Sequence, residues 1–353
     1  MDQCIMTQRT PAELPRDGFD TIPIYRTGAA VEVNLADNTN LWGTPPHAAA
    51  ALRAGLDVAE YPDLYGQSLK ETVAVQAGID PSCVVTGNGS DDILDCAIRA
   101  FAAQGDTIAH PDPTFVMLPV FGRINGVTPV AVPLTASHTM DVDALLATGA
   151  RIIYLCQPNN PTGTSTPAAD IRRVIAEAPG LVILDEAYVE FSGDPGLIAE
   201  APSLGRVVVA RTLSKAYGLA GLRVGYGVAS PEITATIERS RGPYKLNALA
   251  ERAAVAAMTL DHDWVLARAA DAVVNRDRFA AELATRGLVA LPSATNFLCV
   301  PTARAAEYAE AARARGVGIR AFASLPGIGG ALRITAGPWA MMERLLAAMD
   351  TVR

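Results

Sequence analysis

Four short, continuously apolar runs constrain this chain most: Cys83-Val-Val-Thr86, Ile152-Ile-Tyr-Leu155, Leu181-Val-Ile-Leu184 and Val207-Val-Val-Ala210. They do not alternate apolar with polar residues, as strands with one wet face do. A run that is apolar throughout suits a strand buried on both faces, the environment of a parallel sheet. Helical patterns such as Asp91 to Ala103 and Ala168 to Ala178 separate several of these runs. Strands alternating with helices make βαβ units, so residues 41–245 are expected to form a large α/β domain, a mainly parallel sheet flanked by helices. Residues 1–40, rich in Pro, Gly, Thr and Asn, read as an irregular N-terminal arm. Residues 246–353 change character: an alanine-rich helical region from Leu246 to Arg286, strand candidates Asn296–Val300 and Ala331–Thr335, a helix between them and a closing helix from Met341 to Thr351. That pattern predicts a smaller C-terminal α+β domain.

The remaining composition narrows the function classes. A net charge of −8, from 29 basic and 37 acidic residues without a basic run, argues against bulk attraction to nucleic acid or anionic membrane. No apolar stretch approaches the roughly 18 residues of a membrane span, and the N-terminus lacks the basic start and apolar segment of a signal peptide. Five scattered cysteines without a C-x-x-C favour free thiols in a reducing cytoplasm, with Cys156 and Cys299 read as packed thiols. The four histidines have no metal-ligand spacing, so no metal is expected.

Ligands of open parallel sheets bind beyond the carboxyl ends of the strands, so the residues after each run matter most. Gly87-Asn88-Gly89-Ser90-Asp91-Asp92 follows the first and opens a helix, whose free N–H groups suit a phosphate, although Ser90 is also an ordinary helix cap. It is not a dinucleotide fingerprint, because Asp92 stands where the last glycine of G-x-G-x-x-G belongs. Gln157-Pro158-Asn159-Asn160-Pro161 follows the second run, Asp185-Glu186-Ala187-Tyr188 the third and Arg211-Thr212-Leu213-Ser214-Lys215 the fourth, with Arg223 eight residues beyond. A carboxylate ending a buried strand is costly unless a cation or donor meets it. Asn160, Asp185 and Lys215 are spaced by 25 and 30 residues, close to one βαβ unit each, which lets them meet along one rim of the sheet. Pyridoxal 5'-phosphate needs this combination: a lysine for its aldehyde, an acid for its ring nitrogen, and hydroxyls, N–H groups and an arginine for its phosphate.

The runs CQPNNPTGT (156–164), LDEAYVEF (184–191) and RTLSKAYGLAGLRVGYG (211–227) resemble fold-type I pyridoxal-phosphate aminotransferases, and more narrowly the histidinol-phosphate aminotransferase branch. The resemblance extends from about Tyr25 to Ala347. It implies that Lys215 forms the Schiff base, that Asp185 faces the ring nitrogen, and that Asn160 and Tyr188 bond the phenolic oxygen. Phe115 would stack on the ring, while Gly89, Ser90, Asp91, Thr212, Ser214 and Arg223 would hold the phosphate. Tyr61 would reach the phosphate of a neighbouring subunit, which implies a homodimer. Arg333 and Arg320 would bind the substrate's anionic group, with Tyr25 and Asn38 beside it.

The implied reaction is ping-pong transamination from histidinol phosphate to a 2-oxo acid such as 2-oxoglutarate, with Lys215 shuttling the proton. The cofactor-facing motifs are intact. Departures gather on the substrate side: Thr27 in place of the arm's usual proline, Thr39 for a glutamate, Glu60 for an arginine, Leu118 for an aromatic, and Lys245. The alternative donors are an aromatic amino acid or one from specialised metabolism. A threonine-phosphate-type decarboxylase, a non-catalytic effector module and a nicotinamide oxidoreductase are weaker alternatives.

Overall fold

The computed structural model describes residues 14–16, 19–24 and 30–352. Its strands are β1 (Val33–Asn34), β2 (Val84–Asn88), β3 (Thr107–Asp112), β4 (Thr128–Pro133), β5 (Ile152–Cys156), β6 (Leu181–Asp185), β7 (Val207–Thr212), β8 (Val224–Val228), β9 (Phe297–Pro301), β10 (Val317–Gly318), β11 (Arg320–Leu325) and β12 (Gly329–Thr335). Seven of them form one sheet in the order β2-β8-β7-β6-β5-β3-β4. From β7 to β4 every pairing is parallel, whereas β8 runs antiparallel to both β2 and β7.

All four apolar runs are strands of this sheet. Their continuous apolarity has the expected cause. Ile153, Leu155, Val182, Leu184, Val207 and Val209 pack into the core on one face, and Ile152, Tyr154, Leu181, Ile183, Val208 and Ala210 into the core on the other. Strands β3, β4 and β8 escape such a reading because His110, Pro111, Pro129, Pro133, Gly225 and Gly227 interrupt their apolar pattern.

A second, antiparallel sheet has the order β11-β12-β9, and β1 pairs in parallel with β10 beside it. Val33 and Leu35 of the early chain are therefore buried with Leu298, Val300, Leu332 and Ile334. The alanine-rich region is two helices, Ala248–Leu260 and His262–Ala284. They break at Asp261, whose buried carboxylate accepts the backbone N–H groups of His47 and Ala48 and so caps the helix Pro46–Arg53. The longer helix joins the two cores: Val265, Ala269 and Ala272 pack with the large sheet, Phe279 and Leu283 with the small one. Among the described residues no helix is long and apolar enough to cross a membrane.

Candidate active site

A cavity of about 610 Å³ opens at the carboxyl edge of the large sheet. Its walls include Asp112, Cys156, Asp185 and Thr212, which are the last residues of β3, β5, β6 and β7. β4 and β5 leave β3 on opposite sides, so the cavity sits where the strand order reverses, the general ligand position in such sheets. Arg320, Phe322, Leu325 and Arg333 of the small sheet close the other side.

Asp185 lies at the buried floor. Its Oδ2 accepts a 2.8 Å bond from the Tyr154 hydroxyl and its Oδ1 a 3.1 Å bond from the Ala187 N–H. Burial pushes the carboxyl up to about 6, against the lowering effect of those two donors. Both donors are neutral, so an ionised Asp185 is a buried charge still suited to a cationic partner.

Lys215 follows β7, and its Nζ donates to the backbone oxygen of Asp37 at 2.9 Å. Burial and the neighbouring Arg333 guanidinium lower the ammonium to about 8, with Asp91 and Asp37 opposing. A lysine at that value is readily obtained as the neutral amine that a nucleophile or base must be.

Gly89, Ser90, Asp91, Ser214 and Arg223 gather at one end of the cavity. Ser90 is the first residue of its helix rather than the cap; Gly89, at φ 84°, takes the cap position. The Arg223 guanidinium bonds Ser214 Oγ and Asp91 Oδ2, each at 3.3 Å. Thr212 Oγ1 accepts the Ser214 N–H at 3.1 Å, which fixes this turn. A Cβ on Gly225 would come within 2.3 Å of the Ser90 nitrogen, so β8 lies against this helix start only because the residue is glycine. Helix N-terminus, hydroxyls and guanidinium together have the chemistry that suits a phosphate.

Above the floor lie Asn160 and Tyr188. Asn160 Oδ1 accepts a 2.6 Å bond from Arg333, which also donates to the Ala36 carbonyl at 2.6 Å. Tyr188 is buried edge-on against Phe297 and hydrogen-bonds Asn38 Nδ2 at 3.0 Å. Phe115 lines the cavity and packs against the core beneath. Arg320 and Arg333 are cross-strand partners on β11 and β12, so their side chains share a face of the small sheet.

Tyr61 is not brought to this cavity in the single chain. It is 81% exposed and stacks on Tyr244 at 4.6 Å between ring centres. Tyr25 lies outside the described residues. Sequence reasoning missed Tyr154, although it carries the single polar atom in an otherwise apolar run. It also missed the Arg211–Glu186 ion pair, at 2.7 Å, which follows from the pairing of Asp185 with Ala210 one residue earlier on each strand.

Residues 30–349 match the family model of class I and II aminotransferases. The chain belongs to that family. This aminotransferase is 36% identical to the histidinol-phosphate aminotransferase of Thermoanaerobacter pseudethanolicus over 281 residues, covering 78% of this chain and 79% of that protein. It is 34% identical to an aromatic amino acid aminotransferase of Cutibacterium acnes, over 81% of this chain and 85% of that protein. Among solved structures it superposes on the histidinol-phosphate aminotransferase of Sinorhizobium meliloti, in complex with pyridoxal 5'-phosphate, with a TM-score of 0.84 and 29% identity, covering 91% and 90% of the two chains. The family's enzymes are pyridoxal-phosphate dependent, and the residues present fit that cofactor. The helix start with its hydroxyls and guanidinium, the carboxylate suited to a cationic partner and the lysine of lowered basicity line a single cavity.

Proposed function

We propose that this aminotransferase moves the amino group of histidinol phosphate to a 2-oxo acid such as 2-oxoglutarate, in two half-reactions of a ping-pong cycle. The observation that carries the reading is the cross-strand pair Arg320 and Arg333 at the cavity wall. Like charges directly opposite on neighbouring strands repel, and an anion bound between them offsets that cost. A phosphate dianion or the distal carboxylate of a dicarboxylic acid suits two guanidinium forks. The histidinol-phosphate aminotransferases among the relatives support the same donor.

When bound, pyridoxal phosphate supplies an electron-withdrawing ring next to the substrate carbon. In this reading Lys215 Nζ would hold the cofactor and, as a neutral amine once released, would take the proton from the donor's amine-bearing carbon and deliver it to the cofactor's carbonyl-derived carbon rather than back to its origin. Its lowered basicity suits that work near neutral pH. Asp185, ionised, holds a proton on the ring nitrogen. Asn160 and Tyr188 orient the phenolic oxygen, and Phe115 covers the ring. The backbone at Gly89, Ser90 and Asp91 holds the phosphate with Thr212, Ser214 and Arg223. Asn38 lines the same cavity beside Tyr188.

Tyr61 is assigned to the phosphate of a second copy's cofactor. Its exposed stack with Tyr244, beside exposed Val58 and Leu64, suits a homodimer face. Sedimentation of the purified protein tests this, and a monomer at micromolar concentration rejects it.

A second reading has its own support. Phe115, Met117, Phe322 and Leu325 give the cavity an apolar wall that suits an aromatic amino donor, as the Cutibacterium acnes relative's name has it. The deciding experiment follows the visible spectrum of the cofactor-loaded enzyme while single donors are added without a keto acid. Conversion to the amine form of the cofactor by L-histidinol phosphate alone supports the first reading. Conversion by phenylalanine or tyrosine instead supports the second. A protein that takes up no cofactor overturns the roles given to Lys215.

A further inference from the structure

Asn38, expected beside the substrate, is buried, and its side chain is committed elsewhere. Its backbone N–H donates to Thr335 Oγ1 at 3.0 Å, and Thr335, fully buried at the end of β12, gives its single hydroxyl proton to Asn38 Oδ1 at 3.1 Å. That exchange fixes which way the amide faces. With Oδ1 held by Thr335, Nδ2 lies 3.0 Å from the Tyr188 oxygen. An amide nitrogen has only protons to offer, so the Tyr188 oxygen must accept, and its own O–H proton is left for another acceptor. Tyr188 lines the cavity. The geometry points to Asn38 as a positioning residue that turns the Tyr188 hydroxyl proton into the cofactor site.

Two further contacts hold Asn38 in place. Its own carbonyl accepts the Asn296 Nδ2 at 3.0 Å. The peptide that joins it to Asp37 offers its N–H to Thr335 and its oxygen to Lys215 Nζ. Asn38 adopts φ 56°, a left-handed conformation that asparagine tolerates better than most residues and that lets the chain meet Thr335, Tyr188 and Lys215 at once. Burial raises the Tyr188 phenol, and the Asn38 bond opposes that rise, as a donor to the phenolic oxygen must.

This inference rests on the proposed placement of Tyr188 at the cofactor's phenolic oxygen. A hydrogen bond donated to that oxygen favours its anionic form and lowers the pH at which the bound cofactor's visible band changes; losing the donor raises that midpoint. The test is the spectral midpoint of the loaded enzyme without substrate, measured for wild type, Tyr188→Phe, Asn38→Gly, Thr335→Val and Tyr188→Phe/Asn38→Gly. Asn38→Gly keeps the left-handed backbone accessible and removes only the amide. Thr335→Val releases the amide from its other side and carries the test if the glycine variant folds poorly.

The expected result is a rise of roughly one pH unit for Tyr188→Phe, a smaller rise for Asn38→Gly and Thr335→Val, and no added effect of Asn38→Gly in the Tyr188→Phe background. A shift from Asn38→Gly that is equal in both backgrounds, or absent while Tyr188→Phe shifts, overturns the inference and leaves Tyr188 in place. No shift from Tyr188→Phe overturns the placement of Tyr188 and the inference with it.

Discussion

The Tyr154 hydroxyl donates a 2.8 Å hydrogen bond to Asp185 Oδ2, joining the middle of β5 to the end of β6 in a fully enclosed layer. The pair supplies a neutral donor to a carboxylate that burial lifts to about 6 from its ordinary 3.8, a shift of about 3 kcal/mol. Because the folded value is raised, the folded protein binds this proton more tightly than the unfolded chain, so the group opposes folding progressively as pH rises from 3.8 and fully once pH exceeds about 6. Asp185→Asn is therefore expected to stabilise the cofactor-free protein by about 3 kcal/mol at pH 7 to 8. That gain should shrink as pH falls through 6 toward 4. Urea unfolding of both proteins across that range checks it, and the same variant should fail to retain cofactor.

Lys215 gives a second pH signature. Attachment of the cofactor needs the neutral amine, so its rate in the cofactor-free protein should rise about tenfold per pH unit and level off above about 8. Stopped-flow absorbance between pH 6 and 9.5 measures this. A rate still climbing at pH 9.5 would show that Arg333 and burial do not depress the lysine. Lys215→Ala should lose catalysis by roughly 10²–10⁴-fold and take up no covalently bound chromophore.

Arg320 separates the two donor readings. Its replacement by alanine should lower kcat/KM for histidinol phosphate about 10- to 100-fold, the value of one charge-assisted bond. The loss should be smaller for phenylalanine, whose single carboxylate Arg333 can hold alone. Initial rates with both donors decide, and equal losses would mean that Arg320 meets a group common to them.

Arg211 and Glu186 form a buried pair whose removal from one side leaves an uncompensated charge. Glu186 also accepts the Leu197 N–H at 2.7 Å, and nearby Glu190 is pushed up to about 7 by burial. Arg211→Met should cost about 3–5 kcal/mol of stability, seen as a lower urea midpoint for the cofactor-free protein. A change under 1 kcal/mol would show that Glu186 is neutral in the fold.

Much of the candidate site's lining was legible because its residues follow strands that announce themselves. Asp185 ends an apolar run, Lys215 and Ser214 follow another, and Ser90 and Asp91 open a helix after a glycine turn; each is tied to a local pattern. Tyr154 carried a weaker signal, one hydroxyl inside an apolar strand. Tyr61 and Asn38 were placed by resemblance alone, and in the single chain one stacks on Tyr244 while the other bonds Tyr188.

The amino-acid order by itself determined that buried strands alternate with helices, and that a glycine turn, an amide, an acid and a lysine follow the four apolar runs. Those properties are local, set by runs of side chains and by which residue comes next. Only the tertiary structure decided that Arg320 faces Arg333, that Val33 and Leu35 join the C-terminal core, and that Thr335 orients Asn38 toward Tyr188. These depend on sheet order and register between distant segments, Asn38 and Thr335 being 297 residues apart. Pairing over such separations is chosen by how whole faces pack, and no short stretch of sequence encodes it.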